Sequence, residues 1–236
     1  MKKLARFYFT SLLLLVFGFQ AAGQEGAGLV MTDFAKWYDS QIGVAHNGLY
    51  SGTIYIMLSP SRTTHQFYLT NRWKEGSLVL VNGQIYNDVP MVLDIEKQLL
   101  VVQHPRFGQR DGIQLDIGSV VSFNLDGHFF RKIELNDNEG FYEVLLDGKH
   151  FSLMAQRMKS LEAEGGSSIF KENTDYFLLK DGFAAPLKNR KSLEILTLQS
   201  KVVAKQIQKQ HKMRLNKSKE DKLINYLRLF DEEMEN

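Results

Sequence analysis

Four stretches of the chain alternate apolar side chains with polar or mixed ones at a period of two. They run through Val89, Met91, Leu93 and Ile95; Ile113, Leu115 and Ile117; Val121, Phe123 and Leu125; and Tyr142, Val144 and Leu146. Alternation of this kind predicts β-strands with one face on a core and the other mixed. Turn dipeptides punctuate the runs: Asn47-Gly48, Asn82-Gly83, Asp111-Gly112, Asp126-Gly127, Asp147-Gly148 and Asp181-Gly182. Asn-Gly and Asp-Gly accept the positive φ angles of tight hairpins, so antiparallel pairing is expected. Three of these turns place an aromatic residue shortly after the glycine, at Tyr86, Phe129 and Phe151. Their glycines, 83, 127 and 148, are 44 and then 21 residues apart, which is no fixed period. The pattern is recurring hairpin chemistry and not a propeller or solenoid repeat.

Outside this body the pattern changes. Phe34, Trp37, Tyr38 and Gln41 follow helical spacing, which predicts a short helix behind Thr32 or Asp33. Residues 162–168 (Glu-Ala-Glu-Gly-Gly-Ser-Ser) read as an internal loop or the tip of a hairpin. After Pro186 the period moves from two towards 3.6. Val203, Ala204, Ile207, His211 and Leu215 fall on one helical face, and Lys201, Lys205, Lys209 and Lys212 on the opposite one. Asn216 ends that helix, and Ser218 with Asp221 is read as the cap of a last helix presenting Leu223, Leu227 and Phe230. The expected fold class is α+β, mainly antiparallel β, as hairpin-rich sheets in a sandwich or partly open barrel, with C-terminal helices. Three regions follow: a leader at 1–23, a β-rich body at 24–187, and a basic helical region at 188–236 packed on that body.

The leader reading rests on Lys2, Lys3 and Arg6, an uncharged run from Phe7 to Phe19, and the small residues Ala21-Ala22-Gly23 ahead of Gln24. A basic start, a short apolar centre and small residues before the cleavage point describe a secretory signal peptide, cut between Gly23 and Gln24. The run falls well short of the roughly 20 residues a spanning helix needs. The chain has no cysteine, so neither a disulfide framework nor a cysteine-linked lipid anchor is possible. The net charge of +2 hides an asymmetry. Residues 24–179 carry 13 basic against 19 acidic side chains, whereas residues 180–228 carry 13 basic against 4 acidic. A basic C-terminal region follows an acidic body.

One set of residues resembles a known group. Gly76-Ser-Leu-Val-Leu-Val-Asn-Gly-Gln-Ile-Tyr-Asn-Asp-Val-Pro-Met-Val-Leu-Asp-Ile95 is similar to a recurrent segment in exported proteins of the Bacteroidota. So are His65-Gln-Phe67, Gly140-Phe-Tyr-Glu-Val-Leu-Leu-Asp-Gly-Lys149, Tyr176-Phe-Leu-Leu-Lys-Asp-Gly182 and Arg190-Lys-Ser-Leu193. The resemblance is to an uncharacterised exported β-rich family with no established activity. It implies the architecture and the compartment, from about Gly48 onward, and carries over no catalytic residue. The chain departs from the pattern at Gln66, where proline is expected after His65.

No motif for chemistry stands out. The histidines, at 46, 65, 104, 128, 150 and 211, show no metal-ligand spacing, and without cysteine a structural zinc site is not expected. His128 and His150 follow hairpin glycines, where exposed polar residues are normal, and His211 is read as packed on the apolar helix face. There is no Gly-x-Ser-x-Gly elbow and no phosphate loop of the Gly-x-x-x-x-Gly-Lys type. Asp94 and Glu96 share a strand face about 7 Å apart, a pair a glycosidase would need. The same residues suit a solvated turn equally well. If a pocket exists, His65, Asp94, Glu96 and His104 are its candidate residues. The sequence names no cofactor.

The reading is therefore an exported envelope protein, periplasmic or extracellular, that acts as a non-enzymatic binding module for an envelope protein or glycan. One alternative is a hydrolase of envelope glycan or peptide. Another is a peripheral membrane protein held on an anionic surface by Lys201, Lys205, Lys209 and Lys212. Nucleic acid is not an expected partner of an exported chain.

Overall fold

The computed structural model describes residues 48–57, 64–106, 111–135 and 138–234. The chain divides into two units, Met1–Tyr50 and Ser51–Asn236. Of the first, only residues 48–50 are described, as a short 3-10 turn. The signal peptide, its cleavage point and the helix expected around Trp37 lie outside the described residues, as does Asn47.

The second unit is built on one antiparallel sheet of eleven strands, ordered β1-β5-β4-β3-β2-β6-β7-β8-β9-β10-β11. They are β1 (Thr53–Ile56), β2 (Lys74–Leu80), β3 (Ile85–Asp94), β4 (Leu99–Gln103), β5 (Asp111–Gln114), β6 (Val120–Leu125), β7 (His128–Leu135), β8 (Asn138–Asp147), β9 (Ser152–Glu164), β10 (Ser167–Lys180) and β11 (Phe183–Pro186). The sheet does not close, as expected of a mainly antiparallel α+β fold. It does curl: Lys159 on β9 donates its backbone N–H to Ile95 at 3.1 Å, and the Gln98 amide donates to the Arg157 carbonyl at 2.8 Å. Both bonds tie the β3–β4 turn to a strand far along the sheet order.

Turn chemistry explains most of the hairpins. Asp126-Gly127 and Asp181-Gly182 have φ of 52°, 83°, 50° and 81°, the left-handed pair of a tight two-residue turn. Residues 162–168 are the tip of a hairpin. Glu164 pairs with Ser167, and β9 and β10 run as long strands up to a turn at Gly165-Gly166. Asp111-Gly112 is not a turn, but lies within β5 between β1 and β4. A Cβ on Gly112 would sit 2.7 Å from the Val102 carbonyl oxygen and 2.8 Å from the Trp73 ring, so this glycine makes room for a tryptophan.

Two bulges shift the expected alternation. Between Val79 and Leu80 the β2–β6 register skips a residue, which buries Val120 and exposes Val121. A second irregularity, between Val144 and Leu146, leaves those two half-buried while Phe141, Tyr142 and Glu143 are buried. The centre of the sheet is filled by side chains such as Leu78, Met91, Phe123 and Phe130, with Phe123 stacked on Phe130 at 4.9 Å.

Helices cover one face of the last strands. A 3-10 helix, Arg190–Ile195, is followed by α1 (Ser200–His211) and α2 (Glu220–Glu233). Val203, Ala204 and Ile207 from α1 and Leu223, Tyr226, Leu227 and Phe230 from α2 pack with Phe151, Leu153, Tyr176 and Leu178 of the sheet region. The basic helical region is thus docked on β structure through its apolar stripe. Two expectations change here. α1 stops at His211, which is exposed and not packed, because Lys212 takes a left-handed conformation at φ 55°. Ser218 does not cap α2: its N–H is bonded to Asn216 Oδ1, and the N-cap position belongs to Lys219.

Candidate functional site

Pairing across β6 to β10 puts Phe130 beside Glu143, Glu143 beside Ala155, Ala155 beside Tyr176, and Arg157 beside Thr174. Directly paired residues share a face, so these side chains line the covered side of the sheet. An ionic chain forms there. Glu143, only 3% exposed, accepts from Tyr68 Oη at 3.1 Å, from His128 Nδ1 at 2.5 Å and from Arg157 Nε at 2.6 Å. The other edge of the Arg157 guanidinium donates to both carboxylate oxygens of Glu220 at 2.8 and 2.9 Å, and to Thr174 Oγ1 at 3.3 Å. Tyr176 Oη donates to Glu220 at 2.9 Å.

The electrostatics of this chain are those of a paired, mostly dry network. Burial opposes the charge on Arg157, but its hydrogen bonds and charge interaction with Glu220 and Glu143 outweigh that and raise its pKa. Burial pushes the Glu220 carboxyl up, and the Arg157 bonds and charge, helped by Tyr176, bring it below its ordinary value. The Tyr68 hydroxyl is raised by burial and by the charge of Glu143. Tyr176 is pushed up to about 12 by burial and its bond to Glu220. His128 and Glu220 are 39% and 32% exposed at the two ends, while Glu143 and Arg157 in the middle are closed off. The network fastens α2 and the Tyr68 segment to the sheet.

Each pocket candidate from the sequence has its own local setting. Asp94, fully buried at the end of β3, accepts from Tyr55 Oη at 2.5 Å and from the backbone amides of Glu96 and Lys97 at 3.0 Å each. Glu96 is exposed on that turn. His104 Nδ1 accepts from the Arg106 N–H at 3.1 Å just after β4. His65 sits beside Phe67, 6.2 Å between rings, with its pKa lowered by burial and by Lys159; its Nδ1 is buried without a hydrogen-bond partner. Among the described residues no group of three or more His, Asp or Glu side chains is placed to hold a metal ion.

A cleft of about 550 Å³ opens between the 3-10 helix, α1, the α1–α2 connection and α2. Lys188, Arg190, Arg214 and Lys217 line it, with no carboxylate and no histidine among them. None of these four cations forms an ion pair among the described residues. Its polar lining is completed by Asn189 and Gln208, and its apolar floor by Ala204, Met213, Leu215 and Tyr226. Local structure holds the lining in place. Asn189 caps the 3-10 helix by accepting from the Lys191 N–H at 2.8 Å. Gln208, with its amide oriented to satisfy both ends, accepts from Arg214 Nε at 3.2 Å and from its terminal nitrogen at 2.9 Å. The Lys217 ammonium lies 5.8 Å over the Tyr176 ring, which ties the cleft to the ionic chain. Burial raises the Tyr226 hydroxyl, and the nearby charge of Arg190 partly offsets it.

Arginine forks and lysine ammoniums are donors only, always charged near neutrality, and suited to phosphate, sulfate or carboxylate oxygens. The lining of the cleft is therefore suited to an anion. Sequence reasoning located the basic region by its net charge but not the cleft, whose cations are spread from residue 188 to 217. Nor did it find Glu143 or Arg157. The available signal was a lone acid inside the apolar run Phe141–Leu146 and a lone arginine in the strand that follows. No protein-family model, no curated protein and no solved structure matches this chain.

Proposed function

We propose that the protein is an exported envelope component that works as a non-enzymatic binding module, holding an anionic ligand in the cleft between its C-terminal helices. One observation carries this reading: four cations converge on a cleft of about 550 Å³, within the usual size of ligand sites, with no carboxylate to neutralise them. Clustered like charges repel, and an anion placed among them relieves that repulsion while gaining charge-assisted hydrogen bonds. The leader supports export, and no described helix is long and apolar enough to cross a membrane. The chain recovered from an envelope fraction is expected to begin at Gln24 on N-terminal sequencing; one still beginning at Met1 would count against export.

The binding claim is tested by calorimetric titration of the mature chain with inorganic pyrophosphate. Saturable binding is expected, weakened at least tenfold by the pair Arg190→Glu and Arg214→Glu, since each lost charge-assisted bond is worth about 1.5–3 kcal/mol. Both residues are exposed, so the variant should keep the wild-type melting temperature. A wild-type protein that gives no saturable heat, or a reversed variant that binds equally well, would remove the cleft from consideration.

A further inference from the structure

From a different surface, and without need of the cleft or its ligand, we infer that the junction between the 3-10 helix and α1 docks on an anionic lipid bilayer. Ile195, Leu198 and Val202 are 41%, 100% and 60% exposed. They fall within eight consecutive residues, where the 3-10 helix ends at Ile195 and α1 begins at Ser200, and form a short exposed apolar stripe. The stripe stays out of the core, which takes Leu193, Leu196, Val203 and Ile207 from the same elements. Phe183, 76% exposed, projects from the adjoining hairpin turn. The Lys180 ammonium donates to the Leu196 carbonyl at 2.6 Å, holding that hairpin against the end of the 3-10 helix.

The charges around the stripe select the partner. Lys191, Lys201 and Lys205 are exposed on the same stretch of chain as Ile195, Leu198 and Val202. Arg190, Lys191 and Lys201 also line a small hollow beside Ser200 and Glu194. Two carboxylates stand in the area. Glu194 is paired with Lys201 at 3.4 Å, and Asp181 belongs to the hairpin turn. Cations dominate, and they ring an apolar tip. A protein groove would bury the leucine without needing a collar of lysines. A bilayer rich in anionic headgroups satisfies both features together, with the tip entering the acyl boundary and the lysines staying among phosphates. The lysine face on its own would adsorb electrostatically; the apolar tip adds insertion.

Flotation of the mature chain with vesicles separates the alternatives. One set is phosphatidylcholine alone, and the other is phosphatidylcholine and phosphatidylglycerol in equal parts. Binding is expected to the mixed vesicles at low salt and to fall as salt rises, with little binding to phosphatidylcholine alone. Leu198→Ser with Val202→Ser should weaken it about tenfold, from the apolar area withdrawn from the bilayer. Lys191→Glu with Lys201→Glu and Lys205→Glu should abolish it, each lysine changing partitioning about fivefold. All five positions are exposed, so circular dichroism should show an unchanged fold. A cleft variant carrying Lys188→Glu and Arg214→Glu, neither of which lines the small hollow beside Ser200, should float, losing no more than the general effect of its charge. Absence of wild-type binding at low salt would overturn the inference. So would wild-type binding by the serine variant, which would mark adsorption without insertion, or a cleft variant that fails where the lysine variant succeeds.

Discussion

Replacing Arg157 by alanine is expected to destabilise the fold by about 3–5 kcal/mol, because it leaves buried Glu143 charged and deprived of its guanidinium. For a unit of this size that is a fall in melting temperature of roughly 10 °C. The cost is mostly that of the stranded charge and not the net worth of the pair. Replacing Arg157 and Glu143 together by apolar residues should therefore cost much less than the two single changes added. The effect depends on pH in a defined direction. The Glu220 carboxyl is held below its ordinary value of 4.5, largely through Arg157 working against burial. A depressed carboxylate contributes stability above its unfolded pKa and loses it as pH falls through the folded value. The gap between wild type and Arg157→Ala should thus be widest near neutrality and narrow below about pH 4. Denaturant titrations at several pH values read this directly. A gap that is constant with pH would mean Arg157 stabilises only through packing of its stem.

Phe230→Ala is expected to cost about 3–5 kcal/mol, by removing a fully buried ring where α2 meets the sheet. The ring lies 6.5 Å from Phe151 and 6.4 Å from Tyr226 between centroids, and no neighbour is free to fill the space. Its chain neighbour Asp231 adds a second consequence. That carboxylate accepts from the backbone amides of Lys149 at 2.7 Å and His150 at 3.0 Å, so it organises the loop from β8 to β9. Gly148 is required there, since a Cβ would stand 2.7 Å from an Asp231 oxygen. Displacing Phe230 should loosen this loop, with amide exchange at Lys149 and His150 rising along with the loss of global stability. Val202→Ala, on the exposed side of α1, should stay within about 0.5 kcal/mol of wild type. A Phe230→Ala variant as stable as that control would show that the helices are not part of the cooperative fold.

Which features were legible in the sequence follows from the range of the physics behind each. The hairpins at Asp126-Gly127 and Asp181-Gly182 were readable because left-handed φ is a local demand that only a few residues meet. The same Asp-Gly pair at 111–112 misled, because that glycine answers to Trp73, which is distant in sequence. Leu223, Leu227 and Phe230 could be placed in the core from helical period alone, as their burial confirms. Val121 could not, because a bulge between β2 and β6 reverses the alternation and is decided by pairing. Asp94 could be seen as a turn acid, and its two amide bonds are of that kind; its bond to Tyr55 joins residues 39 apart. The ionic chain was the least visible part. Glu143 looks like any strand glutamate until Arg157, Tyr68 and Glu220 arrive from three other segments. The cleft sits between these extremes: its charge was legible and its concavity was not.

The central claim is that the cleft is where an anion binds, and amide chemical-shift mapping during a pyrophosphate titration locates binding residue by residue. Perturbations should cluster at Lys188–Arg190, Gln208 and 213–217, saturate together, and vanish in the Arg190→Glu, Arg214→Glu variant. Shifts spread evenly over Lys201, Lys205, Lys209 and Lys212, or confined to any surface other than the cleft, would contradict the account.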